Sequence, residues 1–365
     1  MKRYGTIGLA AALACLIAAP VTQAAEFGPH VKELIAQAQK EGKLNLSWSG
    51  SGFGNNGKDL PKWIAAFNKF YGLNLSYSWA PAPSMTQQAA NLVQQAQSNA
   101  PATTDTIILG ADSLLPGMQA NATHPYDWAT LAKEIGVDLP PDAIAPGNAA
   151  LAISTAVFGI EYNKEAVPAD KVPHNLVDVL KPEWKGKIAS TPYAAGFNFL
   201  AAFDPNWGEP KTEDFMKKLA AQVGGLIRCG DSAPLLSGQF DMLVLECDIS
   251  EPIIAARRGE PLGYVVPADA PVMDHWYMAV PKTAREPAAG ALLALFMVTK
   301  EGQQIQWDSD GNDLALLPGS KTAALLPGHP DKIAGGHGAQ DFVQHPETLT
   351  MLSKYVDILR KGAGK

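Results

Sequence analysis

The chain has 365 residues, of which 29 are basic and 36 acidic, so its net charge is −7, and 47% of its residues are hydrophobic. It lacks the excess of basic residues that nucleic-acid binding requires, which argues against DNA- and RNA-binding functions. The length exceeds what one hydrophobic core usually serves, so we expect two lobes of about 100 to 200 residues each.

The amino terminus has the layout of a secretory signal. Lys2 and Arg3 precede an apolar stretch over 7–19, and small residues around Ala24 resemble a cleavage site. The stretch is shorter than the roughly 20 residues of a membrane-spanning helix, which disfavours the alternative of a retained anchor. We therefore expect a cleavable signal peptide over 1–24 that takes Cys15 with it, and export to the periplasm. The mature chain would keep 27 basic and 36 acidic residues, a net charge of −9.

The first half of the mature chain alternates between helix and strand. Apolar spacing predicts a helix around 31–38, and alternation over 43–48 predicts a strand that ends in a Ser/Gly-rich turn at 49–54. A helix over 60–70, a strand over 73–79, a Gln- and Ala-rich helix over 84–98 and a buried strand over 106–109 follow. The last strand ends in a small-residue turn at 110–113. This order predicts βαβ units and an α/β fold.

The second half continues the same alternation. Residues 151–162 are typical of a long strand, and 187–190 and 242–245 of shorter ones, with helices between them. From about Leu314 the chain is rich in loops, and it closes with a helix over 349–359. The sequence contains no short tandem repeat or low-complexity tract, which disfavours solenoids and arrays.

Four segments together resemble a known family. They are Glu33–Leu44, Phe158–Lys164, Leu180–Ile188 and Thr299–Gln303, and the most specific string is Pro-Glu-Trp-Lys-Gly-Lys-Ile at 182–188. In order and approximate spacing they resemble the bacterial extracellular solute-binding proteins of the iron(III), polyamine and thiamine type, which serve ABC importers. The resemblance implies a two-lobed type II periplasmic-binding fold. Each lobe would hold a mixed, mostly parallel sheet flanked by helices, and two crossover strands would join the lobes.

The same resemblance implies discontinuous lobes. The chain would pass from lobe 1 to lobe 2 around Ile153–Ala156 and return near Val265–Ala268. We therefore expect lobe 1 over 25–153 and 268–312 and lobe 2 over 154–267. A C-terminal loop and helix over 313–365 would pack across both lobes. Such crossovers act as hinges, and a solute that touches both lobes stabilises the closed state.

Ligands of open α/β sheets bind beyond the carboxyl ends of the strands, which places the predicted binding residues in loops. In lobe 1 they are Ser49, Ser51, Gly52, Phe53, Asp112, Ser113, His275 and Trp276, and in lobe 2 they are Tyr193, Gly196, Phe197, Asn198, Ser232, Glu246 and Asp248. Ordinary turn residues, salt-bridged carboxylates or a packed histidine are the alternatives for these positions. Trp276 and Tyr277 alternate along a strand, so only one faces the cleft, and we favour Trp276.

The residues leave the solute open. Acidic side chains suit a cation or zwitterion, whereas Ser/Gly loops at helix starts suit an anion. The acidic candidates are Asp112, Glu246, Asp248 and Asp274. We expect a small polar organic molecule, no cofactor, no resident metal, a monomer, and a membrane permease as partner. An iron(III) receptor is the alternative within the family, but iron-binding members carry a tyrosine pair where Glu246-Cys247-Asp248 stands and a histidine in the loop over 49–54.

An exported hydrolase or transferase is the alternative of another class. The sequence contains no Gly-x-Ser-x-Gly elbow, phosphate-binding loop or His-Glu-x-x-His helix. Ser232 and His275 would be the only imitation of a nucleophile and base, and we expect no catalytic residue. Cys229 and Cys247 remain after export, and the oxidising periplasm favours a disulfide between them over two buried thiols.

Overall fold

The computed structural model describes residues 27–48 and 53–363. The predicted signal peptide and the predicted ligand residues Ser49, Ser51 and Gly52 lie outside this part. The described helices are α1 Pro29–Glu41, α2 Leu60–Tyr71, α3 Met85–Ser98, α4 Ala111–Gln119, α5 Trp128–Glu134, α6 Phe197–Phe203, α7 Gly208–Gln222, α8 Ala233–Leu236, α9 Ser250–Arg257, α10 Pro287–Met297, α11 Lys300–Asp310, α12 Ala339–Gln344 and α13 Thr348–Ala363. The described strands are β1 Lys43–Leu46, β2 Ser76–Trp79, β3 Ile107–Gly110, β4 Leu151–Asn163, β5 Ile188–Ser190, β6 Gly225–Leu226, β7 Met242–Glu246, β8 Leu262–Val265 and β9 Val272–Ala279.

The long strand β4 belongs to both halves of the main sheet, whose order is β3-β9-β4-β7-β5-β6 with β8 paired to β4. Residues 151–158 of β4 pair with β9, and residues 159–163 pair with β7 and β8. These pairings are antiparallel, whereas β7, β5 and β6 run parallel to one another, as do β1 and β2. A single strand therefore connects a β3–β9 side of the molecule to a β7–β5–β6 side.

The start of β2 differs from the sequence prediction for a local reason. The strand expected over 73–79 begins only at Ser76. Gly72 ends α2 in the left-handed conformation with φ 68°, after which the Leu73 amide donates to the Asn68 carbonyl. The Asn68 side chain then pairs with the backbone of Leu75 in both directions. These capping bonds occupy the Leu73 amide and the Leu75 amide and carbonyl, which strand pairing would otherwise use.

The core is continuous through most of the described chain, and α10 lies entirely within it. Every residue from Ala288 to Met297 in this helix is buried, which matches its apolar sequence on all sides. Phe296 packs against Phe67 and Phe70 of α2. Among the described helices, none combines the length and apolar character needed to cross a bilayer.

The C-terminal segment contacts both sides of the molecule. Helix α12 packs against α4, and α13 packs against α6 and α7. Phe342 of α12 lies 5.1 Å from Phe199 and 5.4 Å from Phe203, measured between ring centroids. These aromatic contacts attach the C-terminal segment to α6.

Gly159 is required where β4 changes partners. A methyl group on it would lie 2.6 Å from both the Tyr264 ring and the Val265 carbonyl oxygen. We predict that Gly159→Ala lowers the free energy of unfolding by about 2 kcal/mol, because overpacking at this point forces β8 away from β4. Urea unfolding measures the effect. Gly328→Ala is the control, since its added methyl group would meet no described atom within 4 Å, and equal stability of the two variants would contradict the prediction.

Candidate functional site

Two carboxylates and an indole ring converge above Gly110, the last residue of β3. A side chain on Gly110 would lie 2.8 Å from Asp274 Oδ2, 3.3 Å from Asp112 Oδ1 and 3.7 Å from the Trp276 ring. Gly110 pairs with Trp276 across the β3–β9 ladder, and Asp274 shares the face of Trp276 because strand residues alternate. Only glycine leaves room for this convergence, which brings the predicted binding residues Asp112 and Trp276 together with Asp274.

Phe53 extends the same surface. Its ring lies 5.5 Å from the Trp276 ring at an interplanar angle of 81°, an edge-to-face contact. The chain just beyond it is held by Asp310 at the end of α11, whose carboxylate accepts hydrogen bonds from the amides of Gly54 and Asn55 at 2.9 and 2.8 Å. The sequence analysis missed Asp310, since it lies over 250 residues from the loop that it anchors.

The opposite face of β9 is structural. His275 is fully buried, and its ring nitrogens lie 3.0 Å from Thr155 Oγ1 and 3.0 Å from the Gly336 carbonyl oxygen. Burial lowers the pKa of His275 to about 4, so the ring is neutral. Tyr277 is also fully buried, and its hydroxyl accepts from the Ala339 amide. Of the two neighbouring aromatics, the partly buried Trp276 is therefore the one available to a solute, and we leave His275 out of the candidate site.

Ionisation is disfavoured for both carboxylates above Gly110. Burial raises the pKa of Asp274 well above its ordinary value, and the neighbouring charge of Asp112 raises it further. Burial likewise raises the pKa of Asp112, against the opposing hydrogen bonds from Ser113. Two acids in one desolvated place cannot both ionise cheaply, so the pair favours a cationic or hydrogen-bond-donating group beside it.

The loop after β5 contains four of the predicted lobe 2 residues, Tyr193, Gly196, Phe197 and Asn198. Ala194 and Gly196 both adopt left-handed backbone conformations, with φ 51° and 81°, and Ala194 does so at a steric cost. Tyr193 is 41% exposed, and its hydroxyl accepts a hydrogen bond from Arg228. Phe197 instead lies in the core against Phe215, so it shapes the loop without reaching its surface.

Asn198 is the remaining predicted residue of this loop. Its side chain is 1% exposed, and its amide nitrogen has no hydrogen-bond partner among the described residues. A buried amide without a partner is costly, so this donor is available to a ligand.

The end of β7 is bent by a bulge. Leu245 has φ 53°, and the β4–β7 register shifts there, so Gly159 pairs with Glu246 whereas Ile160 pairs with Val244. The turn before α8 is tied to this end in two ways. The Gly230 amide donates to both Glu246 carboxylate oxygens at 3.1 and 3.2 Å, and Cys229 forms a disulfide with Cys247. With its sulfurs joined, the cysteine pair is not available as a metal ligand.

Asp248 has a structural role. Its carboxylate accepts hydrogen bonds from the Val157 amide, the Ser250 hydroxyl and the Asn312 side chain. Burial raises its pKa to about 6 against these bonds. The residue thereby connects the end of β7 to the middle of β4 and to the segment after α11. These bonds occupy the Asp248 carboxylate oxygens, which a solute would otherwise use as acceptors.

Glu161 is a buried acid that the sequence analysis did not select. Its side chain is fully buried in β4, where the Ser232 hydroxyl donates to Oε1 at 2.7 Å and Oε2 has no partner among the described residues. Burial raises the pKa of Glu161 to about 7. The available signal was a single charged residue inside an otherwise uncharged 13-residue strand, which is unusual because such charges are seldom buried unpaired.

Ser232 and His275, the only pair that resembles a nucleophile and base in the sequence, have different hydrogen-bond partners in the structure. Ser232 is buried and donates to Glu161, whereas both ring nitrogens of His275 are engaged on the far face of β9. No base lies within hydrogen-bond distance of Ser232 Oγ except this carboxylate, among the described residues. The structure therefore does not assemble a nucleophile and base from this pair.

Comparisons with known proteins are consistent with this geometry. A family model for bacterial extracellular solute-binding proteins matches residues 62–334. An uncharacterized protein of Haemophilus influenzae is 26% identical over 177 residues, 47% of this chain and 51% of that protein, so the chain spans about half the length of this relative.

Two solved structures share the fold. One is iron-bound HitA from Pseudomonas aeruginosa, with a TM-score of 0.63, 16% identity, and coverage of 86% of this chain and 99% of that chain. The other is the substrate-binding protein of an ABC transporter from Agrobacterium tumefaciens, with a TM-score of 0.65, 18% identity, and coverage of 88% and 97%. At these identities the likeness establishes the fold alone, and it confirms the expected two-lobed periplasmic-binding fold.

The buried acids predict an unusual pH dependence of stability. The ordinary pKa of a glutamate is 4.5, so between about pH 4.5 and 7 the folded protein keeps a proton on Glu161 that the unfolded chain releases. We predict that Tm falls as the pH rises through this window, with each pKa unit worth about 1.4 kcal/mol. His275 acts in the opposite direction between about pH 4 and 6.5, because it is neutral when folded.

The variant Glu161→Gln separates the contribution of Glu161 to the pH dependence of Tm from that of His275. Its Tm is expected to change less with pH than that of the wild type, as measured by thermal unfolding across this window. Glu165→Gln is the control, since Glu165 is exposed and only four residues further along the chain. Parallel profiles for wild type and Glu161→Gln would show that Glu161 has no such effect.

Proposed function

The chain belongs to the bacterial extracellular solute-binding proteins, and we propose that it is a periplasmic receptor that encloses a small polar organic solute between its lobes and delivers it to an ABC importer. In this proposal the solute is released unchanged, so the protein acts as a carrier and not as an enzyme. It works as a monomer whose partner is a membrane permease.

The observation that carries the proposal is the surface above Gly110. Trp276 and Phe53 supply apolar area there, and Asp112 and Asp274 supply polar groups beside it. Small-molecule sites typically combine apolar walls with a few converging polar groups. An organic solute with one apolar and one polar side fits this combination better than a bare ion.

The strand pairing supports closure by a hinge. Bending of β4 near residues 153–159, together with the connection between β8 and β9, would rotate the β7–β5–β6 side against the β3–β9 side. A solute that contacts both sides would stabilise the closed form by its greater affinity for it. The importer as destination is supported by the solved ABC-transporter substrate-binding protein that shares this fold.

Iron(III) remains the alternative cargo, because iron-bound HitA also shares this fold. The donor groups favour the organic solute. Tyr264 pairs with Glu161 in the β4–β8 ladder, but its hydroxyl donates to the Val157 carbonyl, and burial raises its pKa well above the ordinary value. A neutral phenol that is already bonded is a poor ligand for iron(III), which prefers hard anionic donors.

The function is tested with a broad metabolite library. The mature protein is expected to gain several degrees in Tm with at least one organic solute, because a ligand that binds only the folded state stabilises it. X-ray scattering should show a smaller radius of gyration with that solute. A library that leaves both Tm and shape unchanged would contradict the receptor function, and stabilisation by ferric citrate alone would favour the iron alternative.

Trp276→Ala tests the location of the site. We predict that it weakens binding of the solute found in the library by about 2 kcal/mol, because a buried indole contributes strongly to a contact surface. Isothermal calorimetry measures the affinity, and circular dichroism checks the fold. Trp307→Ala is the matched control, since this indole contacts Arg257 and Lys321 instead. Unchanged affinity in Trp276→Ala would remove the ring from the site.

A further inference from the structure

Glu161 and Glu246 form a second pair of buried acids, on the β7–β5–β6 side of the molecule. Glu161 is 0% exposed and Glu246 2% exposed. The turn before α8 brings them together, because its Ser232 hydroxyl donates to Glu161 while its Gly230 amide donates to Glu246. Tyr264 lies directly opposite Glu161 in the β4–β8 ladder, and its ring covers β4 at Gly159.

This pair has no cation to balance it. None of the salt bridges among the described residues involves Glu161 or Glu246, and the nearby Glu251 is itself paired with Arg258. Burial raises the pKa of both acids, and like charges raise it further, since Glu161 and Asp248 act on Glu246 and Glu251 acts on Glu161. Ionising both acids in this desolvated place would cost several kcal/mol, so the ionised pair requires a positive group beside it.

One oxygen of the pair is free to bind such a group. Glu161 Oε2 is fully buried and has no hydrogen-bond partner among the described residues, although Oε1 is satisfied by Ser232. An unsatisfied buried acceptor of this kind calls for a donor. Glu246 pairs with Gly159 in the β4–β7 ladder, two residues from Glu161, and Tyr264 pairs with Glu161 in the β4–β8 ladder. A second acid and an electron-rich ring in these positions favour a cation.

We propose that Glu161 and Glu246 bind a protonated amine of the transported solute. This assignment rests on the proposed receptor function, and it specifies the solute as amine-bearing. An organic ammonium group fits better than a metal ion, because Gly230, Cys247 and Ser232 already donate to the two carboxylates. Ca²⁺ requires six to eight oxygen ligands and Mg²⁺ a complete octahedron, whereas an ammonium group needs only about three acceptors.

The first test uses matched pairs of probes that differ only in an amine. They are ethanolamine with ethylene glycol, glucosamine with glucose, and glycine with glycolate, each added to the wild-type mature protein. We expect at least one amine to raise Tm while its hydroxyl partner does not. Equal effects within every pair would overturn the proposal. Failure of every amine, while some other library compound binds, would overturn it and leave the receptor function intact.

The second test uses Glu161→Gln with the amine that binds. The variant keeps the size of the side chain and an oxygen for Ser232, so it is expected to fold and to be at least as stable as the wild type near neutral pH. Its affinity for the amine should fall at least about tenfold, because a charge-assisted hydrogen bond is lost. Glu165→Gln should bind like the wild type. Full affinity in Glu161→Gln would overturn the proposal.

A third measurement shows whether the amine is recognised by its charge or whether Glu161→Gln has only altered the shape of the site. An ammonium group binds the ionised form of the acid pair, so the pair releases its proton to the buffer when the amine binds. Calorimetry at about pH 6.5 should therefore give binding heats that vary with the ionisation heat of the buffer. This variation should decrease in Glu161→Gln. Stabilisation of the wild type by calcium or magnesium chloride alone, lost in the variant, would assign the pair to a metal ion and overturn the amine.

Discussion

The structure depends on the hydrogen bonding of one strand, β4, which is divided between two sets of partners. Its first eight residues complete the sheet around β9, and its last five complete the sheet around β7 and β8. The exchange occurs at Gly159, where the Tyr264 ring needs the space of a missing side chain. Because the backbone is continuous through this point, any rotation of one side against the other must bend β4, and the candidate residues lie on either side of that bend.

Buried carboxyl groups without a basic partner among the described residues are the main electrostatic feature on either side of this bend. Asp112 with Asp274, and Glu161 with Glu246, are removed from water without a lysine or arginine partner among the described residues. Such an arrangement opposes stability, and proteins commonly accept this kind of cost where a site must be ready for its ligand. Both pairs lie beside aromatic rings, which suits an organic molecule with a positive end.

The end of β7 is held in place by covalent and conformational constraints together. The disulfide joins Cys247 to the turn before α8, and the Gly230 amide fixes the Glu246 carboxylate between them. The left-handed conformation of Leu245 turns the strand at the same point, and Ala194 in the neighbouring loop adopts a similar conformation. Backbone strain of this kind is commonly concentrated at functional sites.

Sequence periodicity alone predicted the α/β class, the helices α1, α2, α3 and α13 and the long strand over 151–162, because local spacing determines which face of an element is apolar. The family resemblance supplied the two-lobed fold, which the comparisons confirmed. Strand ends such as Leu73–Leu75 could not be predicted, since capping bonds from Asn68 compete with the ladder. The tertiary structure alone brought Asp274 and Asp112 together above Gly110, buried His275, gave Asp248 a structural role and placed Glu161 near Glu246. Those outcomes depend on contacts between residues far apart in the chain, and a one-dimensional pattern contains no information about which distant side chains share a desolvated space.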